Sequence, residues 1–344
     1  MELQTIYHPI KDEMRRVEDE LARSLFKTRH YGVERVSHYL LESPGKRIRP
    51  ALCILSAKAS LGNRLSPERG KELIKAAAAI ELIHLASLVH DDVIDQAHLR
   101  HNRPTINARW KEDVSIAFGD YINSLAFELI AECSIPDIPQ CLSAATRLMC
   151  EGELLQVLKR EDTVSEEEYF LVVKKKTASF FVACCRCGSL ISETRRHISE
   201  ALKDYGFNFG IAFQIIDDYL DLTGAEEALG KDPGQDIKTG ELTLPLLKLQ
   251  GLLSEPQKKD LENLLYSGNK KDAFSQIKHL FFSSGAALKT REAAVFFADS
   301  AKAGITTLPD SRYKEGLHLL ADYIIERGFG ADQSAAGEAR TMYS

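Results

Sequence analysis

The stretch ELIHLASLVHDDVID, residues 81–95, places an apolar helical pattern directly before a group of aspartates. Its apolar residues recur at intervals of three and four, which is the spacing of a helix with one buried face. Residues four apart on a helix lie about 40° apart around its axis, so Asp91 and Asp95 share a face and Asp92 lies beside it. The stretch therefore predicts a core helix that carries two carboxylates one turn apart at its end.

The same helical spacing extends over most of the chain. Six examples are Ala51–Leu61, Leu73–Ile94, Val114–Ile130, Leu142–Leu158, Tyr169–Ile191 and Ile198–Leu222. Alternating runs of β-branched residues are scarce, and no linker rich in Gly, Ser or Pro divides the chain. We therefore expect an all-α fold, with one large helical domain over residues 1–330, a loop at Lys231–Gly240 and a flexible polar tail at 331–344.

Composition and charge limit the classes of function. Of the 344 residues, 44% are hydrophobic, which is enough for a sizeable core. A net charge of −6 gives no broad basic surface, so we expect no nucleic-acid partner. Seven cysteines without disulfide-scaffold spacing, and an N-terminus unlike a signal peptide, favour a reducing, cytoplasmic location. Because no run of 18 apolar residues is present, we expect no transmembrane segment.

A second copy of the aspartate pattern follows an apolar stretch in FQIIDDYLD, residues 213–221. Here Asp217 and Asp221 share a face, Asp218 lies beside it, and Gln214 lies on the same face one turn earlier. One Asp-Asp-x-x-Asp pattern is most often a solvated face, but two copies that each follow an apolar stretch favour a site. A cation would offset the repulsion between like charges one turn apart. Hard oxygen ligands suit Mg²⁺, and two such helices on opposite walls of one cavity would hold several ions around a diphosphate.

Basic side chains near these aspartates could bind the phosphate groups. In GKRIRP, residues 45–50, Lys46 and Arg49 lie one turn apart if the segment is helical. His84 lies two turns before Asp91 on the same face, although a single helical histidine is more often a satisfied core residue. The segment therefore predicts a second phosphate site close to the first aspartates.

Further basic residues follow along the chain. Three come directly after the first aspartates: Arg100, His101 and Arg103. The run Lys174–Lys176 is by default a solvated face, but Lys176 and Thr177 precede an apolar stretch and could point inward.

From about Lys46 to Arg327 the chain resembles the all-trans isoprenyl (polyprenyl) diphosphate synthases. The resemblance rests on the order and spacing of GKRIRP (45–50), ELIHLASLVHDDVID (81–95), LRHNRPT (99–105), GELLQ (152–156), KKTASFF (175–181), FQIIDDYLD (213–221), GKDPGQD (230–236) and LTLPLL (242–247). It implies helices around a deep central cavity, the isoprenoid synthase fold, as a homodimer. It also implies a reaction in which an allylic diphosphate ionises, isopentenyl diphosphate attacks head-to-tail, and a proton is lost.

The resemblance assigns roles to individual residues. Isopentenyl diphosphate is bound by Lys46, Arg49 and His84, with His101 at a further position. The allylic diphosphate is bound by Arg100, Lys176, Thr177, Gln214 and Lys231. Metal is bound by Asp91, Asp95, Asp217 and Asp221. The catalytic set is Asp91, Asp92, Asp95, Asp217, Asp218, Asp221 and Lys176. Three Mg²⁺ ions accompany the substrate diphosphate, and pyrophosphate is the base that removes the final proton.

Two positions depart from the family's pattern. The family usually has Arg-Arg-Gly where this chain has Arg100-His101-Asn102, and its second arginine contacts isopentenyl diphosphate. Either a bound diphosphate keeps His101 protonated or Arg103 replaces it, and we expect weaker isopentenyl diphosphate binding. Glu241 stands where many relatives have lysine, so one basic contact at the mouth of the cavity is in doubt.

Residues before Asp91 predict the length of the product. In the family, bulky aromatics four or five residues before this aspartate stop the growing chain early, and here those positions are Ser87 and Ala86. The small residues Ala76–Ala79 lie further back and indicate either an open tunnel or close helix packing, and Ile83 could form a floor. We expect a product of hexaprenyl length or longer, as used for quinone side chains, released close to a membrane surface.

Other functions remain as alternatives. A shorter-chain farnesyl or geranylgeranyl diphosphate synthase would share every motif, and a catalytically weak partner subunit of a heteromeric synthase is favoured only by His101. A terpene cyclase needs a different second metal motif, a head-to-head synthase needs Asp-x-x-x-Asp pairs, and an HD-type phosphohydrolase needs more histidine ligands than His90-Asp91 supplies. The cysteines at 184, 185 and 187 lie on an apolar stretch, where packing is the simpler interpretation.

Overall fold

Helices form almost all of the chain that the computed structural model describes, which is residues 1–43, 45–61, 65–100, 102–160, 164–224, 234–265 and 270–341, without the side chains of 270–271 and 331–341. The first half contains α1 (Leu3–Tyr7), a 3₁₀ turn (His8–Ile10), α2 (Lys11–Leu25), α3 (Tyr31–Leu41), α4 (Ile48–Leu61), α5 (Pro67–Ile94), α6 (Ile106–Trp110), α7 (Glu112–Ala131) and α8 (Asp137–Leu158). The second half contains α9 (Glu166–Val173), a π-helical turn (Lys174–Ala178), α10 (Ser179–Ile191), α11 (Arg196–Thr223), α12 (Gln235–Thr239), α13 (Leu244–Leu252), α14 (Glu255–Leu265), α15 (Lys270–Ser283), α16 (Ala286–Gly304) and α17 (Arg312–Thr341).

The predicted all-α class is confirmed. All six predicted blocks lie within observed helices, and one of them contains the π-helical turn between α9 and α10. The loop predicted at Lys231–Gly240 is wrong in its second half, because α12 forms there between Gly234 and Gly240. Their φ angles of 74° and 77° lie in the left-handed region that favours glycine. Helix α17 continues into the predicted tail as far as Thr341.

Strands are confined, in the described ranges, to one small hairpin. β1 (Leu99–Arg100) and β2 (Arg103–Pro104) pair antiparallel, with Leu99 opposite Pro104 and Arg100 opposite Arg103. The sequence shows no strand here because two residues per strand are too few for an alternating pattern. This hairpin follows α5 directly and holds Arg100 next to the end of that helix.

Helix α5 is the centre of the bundle. It begins at Pro67, and the Ser66 hydroxyl accepts a hydrogen bond from the Arg69 N–H at 3.2 Å. Its middle, Ala76–Ile80, has no accessible surface, since α2, α4, α7 and α10 surround it. Each fully buried side chain of the size of Ile83 stabilises the fold by about 1.5–3 kcal/mol.

Within the part of the chain that the structure describes, two helices, α5 and α7, are long and apolar enough to cross a membrane by length and composition alone. In α5, 72% of the most apolar window is buried inside the protein, whereas in α7 the share is 44%. Burial on this scale makes α5 a core helix of the bundle. The lower value for α7 reflects an apolar outer face.

The two longest of the helices with fully described side chains end at the same place. Helices α5 and α11 have 28 residues each, and both aspartate patterns lie in their last turns. Helix α11 stops at Gly224, whose φ of 68° is left-handed and whose N–H donates to the Leu220 carbonyl. The fold therefore brings two carboxylate groups that are far apart in sequence to one cavity.

Candidate active site

A central cavity of about 1460 Å³ lies between α5, α8, the π-helical turn and α11. Its wall contains most of the residues that the sequence singles out: Lys46, Arg49, His84, Ser87, Asp91, Asp92, Asp95, Arg100, Lys176, Thr177, Gln214, Asp217 and Asp218. Two predicted residues, His101 and Lys231, lie outside the described residues. The two aspartate patterns thus face one space, as the sequence predicts.

The three aspartates of α5 have different partners. Burial raises the pKa of Asp91 to about 7, with Lys176 opposing the shift. Asp92 is buried, and one of its oxygens accepts hydrogen bonds from Nε and Nη2 of Arg100 at 2.9 and 2.8 Å. Asp95 accepts a hydrogen bond from Nη2 of Arg160 at 2.6 Å. Asp92 therefore orients Arg100, while Asp91 and Asp95 present carboxylates to the cavity.

In α11 the middle aspartate is held from two sides. The Tyr169 hydroxyl donates to Oδ2 of Asp218 at 2.6 Å, and the Gln214 amide donates to Oδ1 at 2.8 Å. Burial raises the pKa of Asp218 to about 7, against these two hydrogen bonds. The Thr177 hydroxyl donates to the Gln214 side-chain oxygen at 2.7 Å, so this cluster links α9, the π-helical turn and α11.

The outer aspartates of α11 are not equivalent. Asp217 lies on the cavity wall and accepts a hydrogen bond from Nη1 of Arg327 at 2.7 Å. Asp221 is 2% exposed, and its Oδ2 accepts the backbone N–H of Asp236 at 3.0 Å. The structure places Asp217 toward the cavity and Asp221 against the start of α12.

The π-helical turn points Lys176 into the cavity. Glycine at 152 makes this possible, because a Cβ there would lie 2.5 Å from the backbone nitrogen of Lys176. Lys176 donates to the side-chain oxygen of Gln156 at 2.9 Å and forms an ion pair with Glu153. Although burial opposes it, the carboxylates of Asp91 and Glu153 raise the pKa of Lys176, so the cavity wall keeps this cation charged.

A second group of basic residues lies at the start of α4. Nη1 of Arg49 donates to Nε2 of His84 at 2.9 Å, and its guanidinium lies 4.7 Å from the centre of the Phe181 ring. Burial and the Arg49 charge lower the pKa of His84 well below its usual range, so His84 is neutral and carries its proton on Nδ1. Burial and Arg327 lower the pKa of Lys46 to about 8.

Arg47, between the predicted ligands Lys46 and Arg49, has a structural role. It is 6% exposed, and its guanidinium donates to Glu18 at 2.7 Å and to Glu81 at 2.8 Å. Its φ of 54° is left-handed, which costs a non-glycine residue about 1–3 kcal/mol. These two ion pairs hold the loop before α4 in place.

The residues predicted to limit product length lie in two environments. Ser87 is on the cavity wall, where its hydroxyl donates to the His84 carbonyl at 2.8 Å. Ala86 and Ile83 are fully buried in the core and are not among the described wall residues. Ala76–Ala79 are also fully buried. At these four residues the structure therefore shows close helix packing and not an open tunnel.

The site includes residues that the sequence did not single out. These are Glu153, Gln156, Arg160, Tyr169 and Arg327, all of which line the cavity. Glu153 and Gln156 belong to the GELLQ stretch, and its match to the family could have identified them as site residues. Glu241, noted as a departure, lies on the same wall and accepts hydrogen bonds from Arg160. The Arg103 guanidinium donates a hydrogen bond to Glu42 at 2.5 Å and lies over the ring of Tyr39.

The donor set fits a hard divalent cation that shares its ligands with substrate. Among the described residues, no three His, Cys, Asp or Glu side chains converge on one metal position. Mg²⁺ is usually bound by one or two carboxylates together with water and substrate phosphates, which matches Asp91 and Asp95 on one wall and Asp217 on the other. The three neighbouring cysteines of α10 are buried thiols in the core.

Comparison with known proteins identifies similar chains. Residues 31–281 match the family model described as polyprenyl synthetase. The chain is 33% identical over 296 residues to the octaprenyl diphosphate synthase of Escherichia coli, covering 86% of this chain and 90% of that one. It is 38% identical over 248 residues to heptaprenyl diphosphate synthase component 2 of Geobacillus stearothermophilus, covering 72% and 75%.

A solved structure shares the whole architecture. The polyprenyl synthase of Caulobacter crescentus, determined in complex with calcium and isoprenyl diphosphate, superposes with a TM-score of 0.88 at 31% identity. The match covers 95% of this chain and 98% of that one.

Proposed function

The chain belongs to the polyprenyl synthetase family and is a trans-prenyltransferase, and on that premise we propose that it makes a long all-trans polyprenyl diphosphate. It condenses isopentenyl diphosphate head-to-tail with an allylic diphosphate and repeats the cycle to hexaprenyl length or beyond. The observation that carries the proposal is the meeting of both aspartate patterns in one cavity with two separate groups of basic residues.

The cavity wall supports the chemistry of ionisation. As the allylic carbon–oxygen bond breaks, negative charge accumulates on the leaving diphosphate, and cations fixed around it stabilise the transition state more than the ground state. Arg100 and Lys176 are such cations, because Asp92, Glu153 and Gln156 hold them in place before substrate arrives. Three Mg²⁺ ions, held between the aspartates and the diphosphate, would neutralise further charge when bound.

The second basic group suits isopentenyl diphosphate. Lys46 and Arg49 lie at the start of α4 beside neutral His84, and Phe181 covers one face of the Arg49 guanidinium. A diphosphate there places the double bond toward the allylic carbon on the aspartate side. No side chain is needed as the base, because the released diphosphate takes the final proton.

Small and apolar wall residues support a long product. Ser87 leaves the wall open one turn before Asp91, and Leu88, Met149 and Phe180 line the cavity between α5, α8 and α10. Since Ala76–Ala79 are packed, the growing tail follows α8 and α10 rather than those alanines.

We also propose that the chain acts as a homodimer. Large apolar side chains are exposed on two helices: Ile116 and Phe127 on α7, and Leu154 and Leu158 on α8. Leu154 also lines the cavity, so a partner at this face would close part of its wall. The relative named heptaprenyl diphosphate synthase component 2 favours a heteromeric synthase as the alternative. The mass of the purified chain in solution separates a dimer from a monomer awaiting a second subunit.

A reducing, cytoplasmic location completes the proposal. All seven cysteines are free thiols, which suits a reducing compartment. Because the product is a long lipid, its release takes place at a membrane surface.

The test is an assay of the purified chain alone with Mg²⁺, farnesyl diphosphate and labelled isopentenyl diphosphate. We expect a ladder of product alcohols that ends at six or more isoprene units. A ladder that ends at four units would instead identify a geranylgeranyl synthase, and incorporation only when geranyl diphosphate replaces farnesyl diphosphate would identify a farnesyl synthase. No incorporation with either primer, with diphosphate still bound, would favour the partner-dependent subunit.

A further inference from the structure

One guanidinium joins two carboxylates at the wall of the cavity. Arg160, just beyond α8, donates from Nη2 to Oδ1 of Asp95 at 2.6 Å and to Oε1 of Glu241 at 2.8 Å. Its Nε donates to the same Glu241 oxygen at 3.0 Å. Arg160 therefore joins the end of α5, which carries the first aspartates, to the segment before α13.

Arg160 is held by its neighbours before any substrate binds. Glu241 also accepts a hydrogen bond from the side-chain amide of Gln156, whose own oxygen accepts from Lys176 at 2.9 Å. The Glu241 side chain is 10% exposed and that of Arg160 is 20% exposed. A chain of hydrogen bonds thus runs along the wall from Lys176 through Gln156 and Glu241 to Arg160.

The charges of this chain are arranged to suit an anion at Asp95. Without Arg160, the nearly buried carboxylate of Glu241 would repel a diphosphate bound beside it. With Arg160, the Arg160–Glu241 pair is neutral, so Glu241 adds no net negative charge to this part of the wall. Asp95 would hold a divalent cation through its carboxylate, and the Arg160 guanidinium beside it would supply N–H donors to the phosphate oxygens of a substrate bound to that cation.

We propose that Arg160 is a binding residue for the allylic diphosphate and that Glu241 and Gln156 position it. The inference rests on the proposed prenyltransferase function and adds a basic contact that the family motifs did not assign. On this proposal Glu241, which stands where many relatives have lysine, orients Arg160 through its carboxylate. The fork of the guanidinium matches two phosphate oxygens, which a lysine at 241 would contact with a single ammonium.

The test is direct binding of farnesyl thiolodiphosphate, a non-reactive allylic analogue, by calorimetry in the presence of Mg²⁺. We expect Arg160→Met to weaken this binding about 10- to 100-fold, the effect of losing a hydrogen bond to a charged group. Binding of isopentenyl diphosphate, measured separately, is expected to stay within about twofold. Arg147→Met is the matched control, because Arg147 lies on α8, is exposed and pairs with Glu151 outside the cavity wall.

A double variant guards against a folding defect. Arg160→Met leaves Glu241 without its cation, whereas Arg160→Met with Glu241→Gln removes both charges, and thermal melting reports whether each variant folds. We expect the folded double variant to bind the analogue more tightly than the single one, because the repulsion from Glu241 is gone, but still about 10-fold more weakly than the unmodified enzyme. Analogue binding within twofold of the unmodified enzyme in both variants would overturn the role of Arg160. If the unmodified enzyme itself failed to bind the analogue, the proposed function would be wrong.

Discussion

Replacing Asp218 with asparagine tests whether the buried carboxyl of α11 destabilises the fold when it ionises. Burial raises the pKa of Asp218 to about 7, well above that of an aspartate in the unfolded chain. The folded protein therefore binds a proton that the unfolded chain has lost, and the free energy of unfolding falls as the pH rises through 7. The asparagine side chain would keep both hydrogen bonds, since its oxygen accepts from Gln214 and its amide donates to the Tyr169 hydroxyl.

The size of the effect follows from the titration. A carboxyl with a folded pKa of 7 and an ionised unfolded form loses about 1.4 kcal/mol of unfolding free energy between pH 6 and pH 8. Asp91, with a pKa raised to the same value by burial, contributes a similar loss. His84 and Lys46, whose pKa values are lowered in the folded protein, oppose this loss, because the unfolded chain binds more protons at these two groups. The diagnostic quantity is therefore the share of Asp218 alone, which for 344 residues is a fall in Tm of about 2 °C that Asp218→Asn should remove.

The assay is thermal unfolding of the metal-free protein at pH 6 and pH 8, comparing each variant with the unmodified chain so that other titrating groups cancel. Asp204→Asn, at an exposed position on α11, is the control and should show the same fall in Tm as the unmodified chain. An Asp218→Asn variant with the same fall in Tm as the unmodified chain would refute the reasoning.

Three further predictions concern product length, packing and affinity. Ser87→Phe should shorten the longest product by several isoprene units, because an aromatic ring would block the wall one turn before Asp91; an unchanged ladder would contradict this. Gly152→Ala should lower the unfolding free energy by about 1–3 kcal/mol, seen in denaturant titration, because its Cβ would meet the backbone of Lys176. An unfolding free energy within about 0.5 kcal/mol of that of the unmodified chain would mean that α8 moves away from the π-helical turn at little cost. His101→Arg should lower the KM for isopentenyl diphosphate about tenfold, from a charge-assisted hydrogen bond, and an unchanged KM would mean that the usual arginine contact is not missing.

The fold was predictable because it depends on a repeated local signal. Apolar residues at helical spacing identified every one of the six blocks, and the two aspartate patterns identified which helix ends meet. The π-helical turn was not predictable, because Lys174–Ala178 have the composition of an ordinary helix and the backbone there adapts to the close approach of Gly152. Short α12 was missed for a similar reason, as five residues between two glycines show no period.

The candidate site was predictable where a residue acts alone and unpredictable where residues act in pairs. Lys46, Arg49 and His84 follow from the resemblance, and the structure places all three on the cavity wall. Arg160 and Glu241 are 81 residues apart, and neither suggests a role until the fold brings them together. For Ala76–Ala79 the sequence cannot separate a tunnel from packing, because small residues serve both and only the neighbouring helices decide.

The two copies of the aspartate pattern form unequal walls of the cavity, because their last aspartates, Asp95 and Asp221, have different surroundings. In both helices the middle aspartate is occupied by a local partner: Asp92 orients Arg100, while Asp218 is held by Tyr169 and Gln214. On α5 the last aspartate reaches the cavity wall. On α11 the last aspartate, 2% exposed, is fixed to the backbone at the start of α12. The α5 wall therefore offers two carboxylates to a metal and the α11 wall one. We accordingly expect the allylic diphosphate to be held mainly from the α5 side, where Arg100, Lys176 and Arg160 also line the cavity.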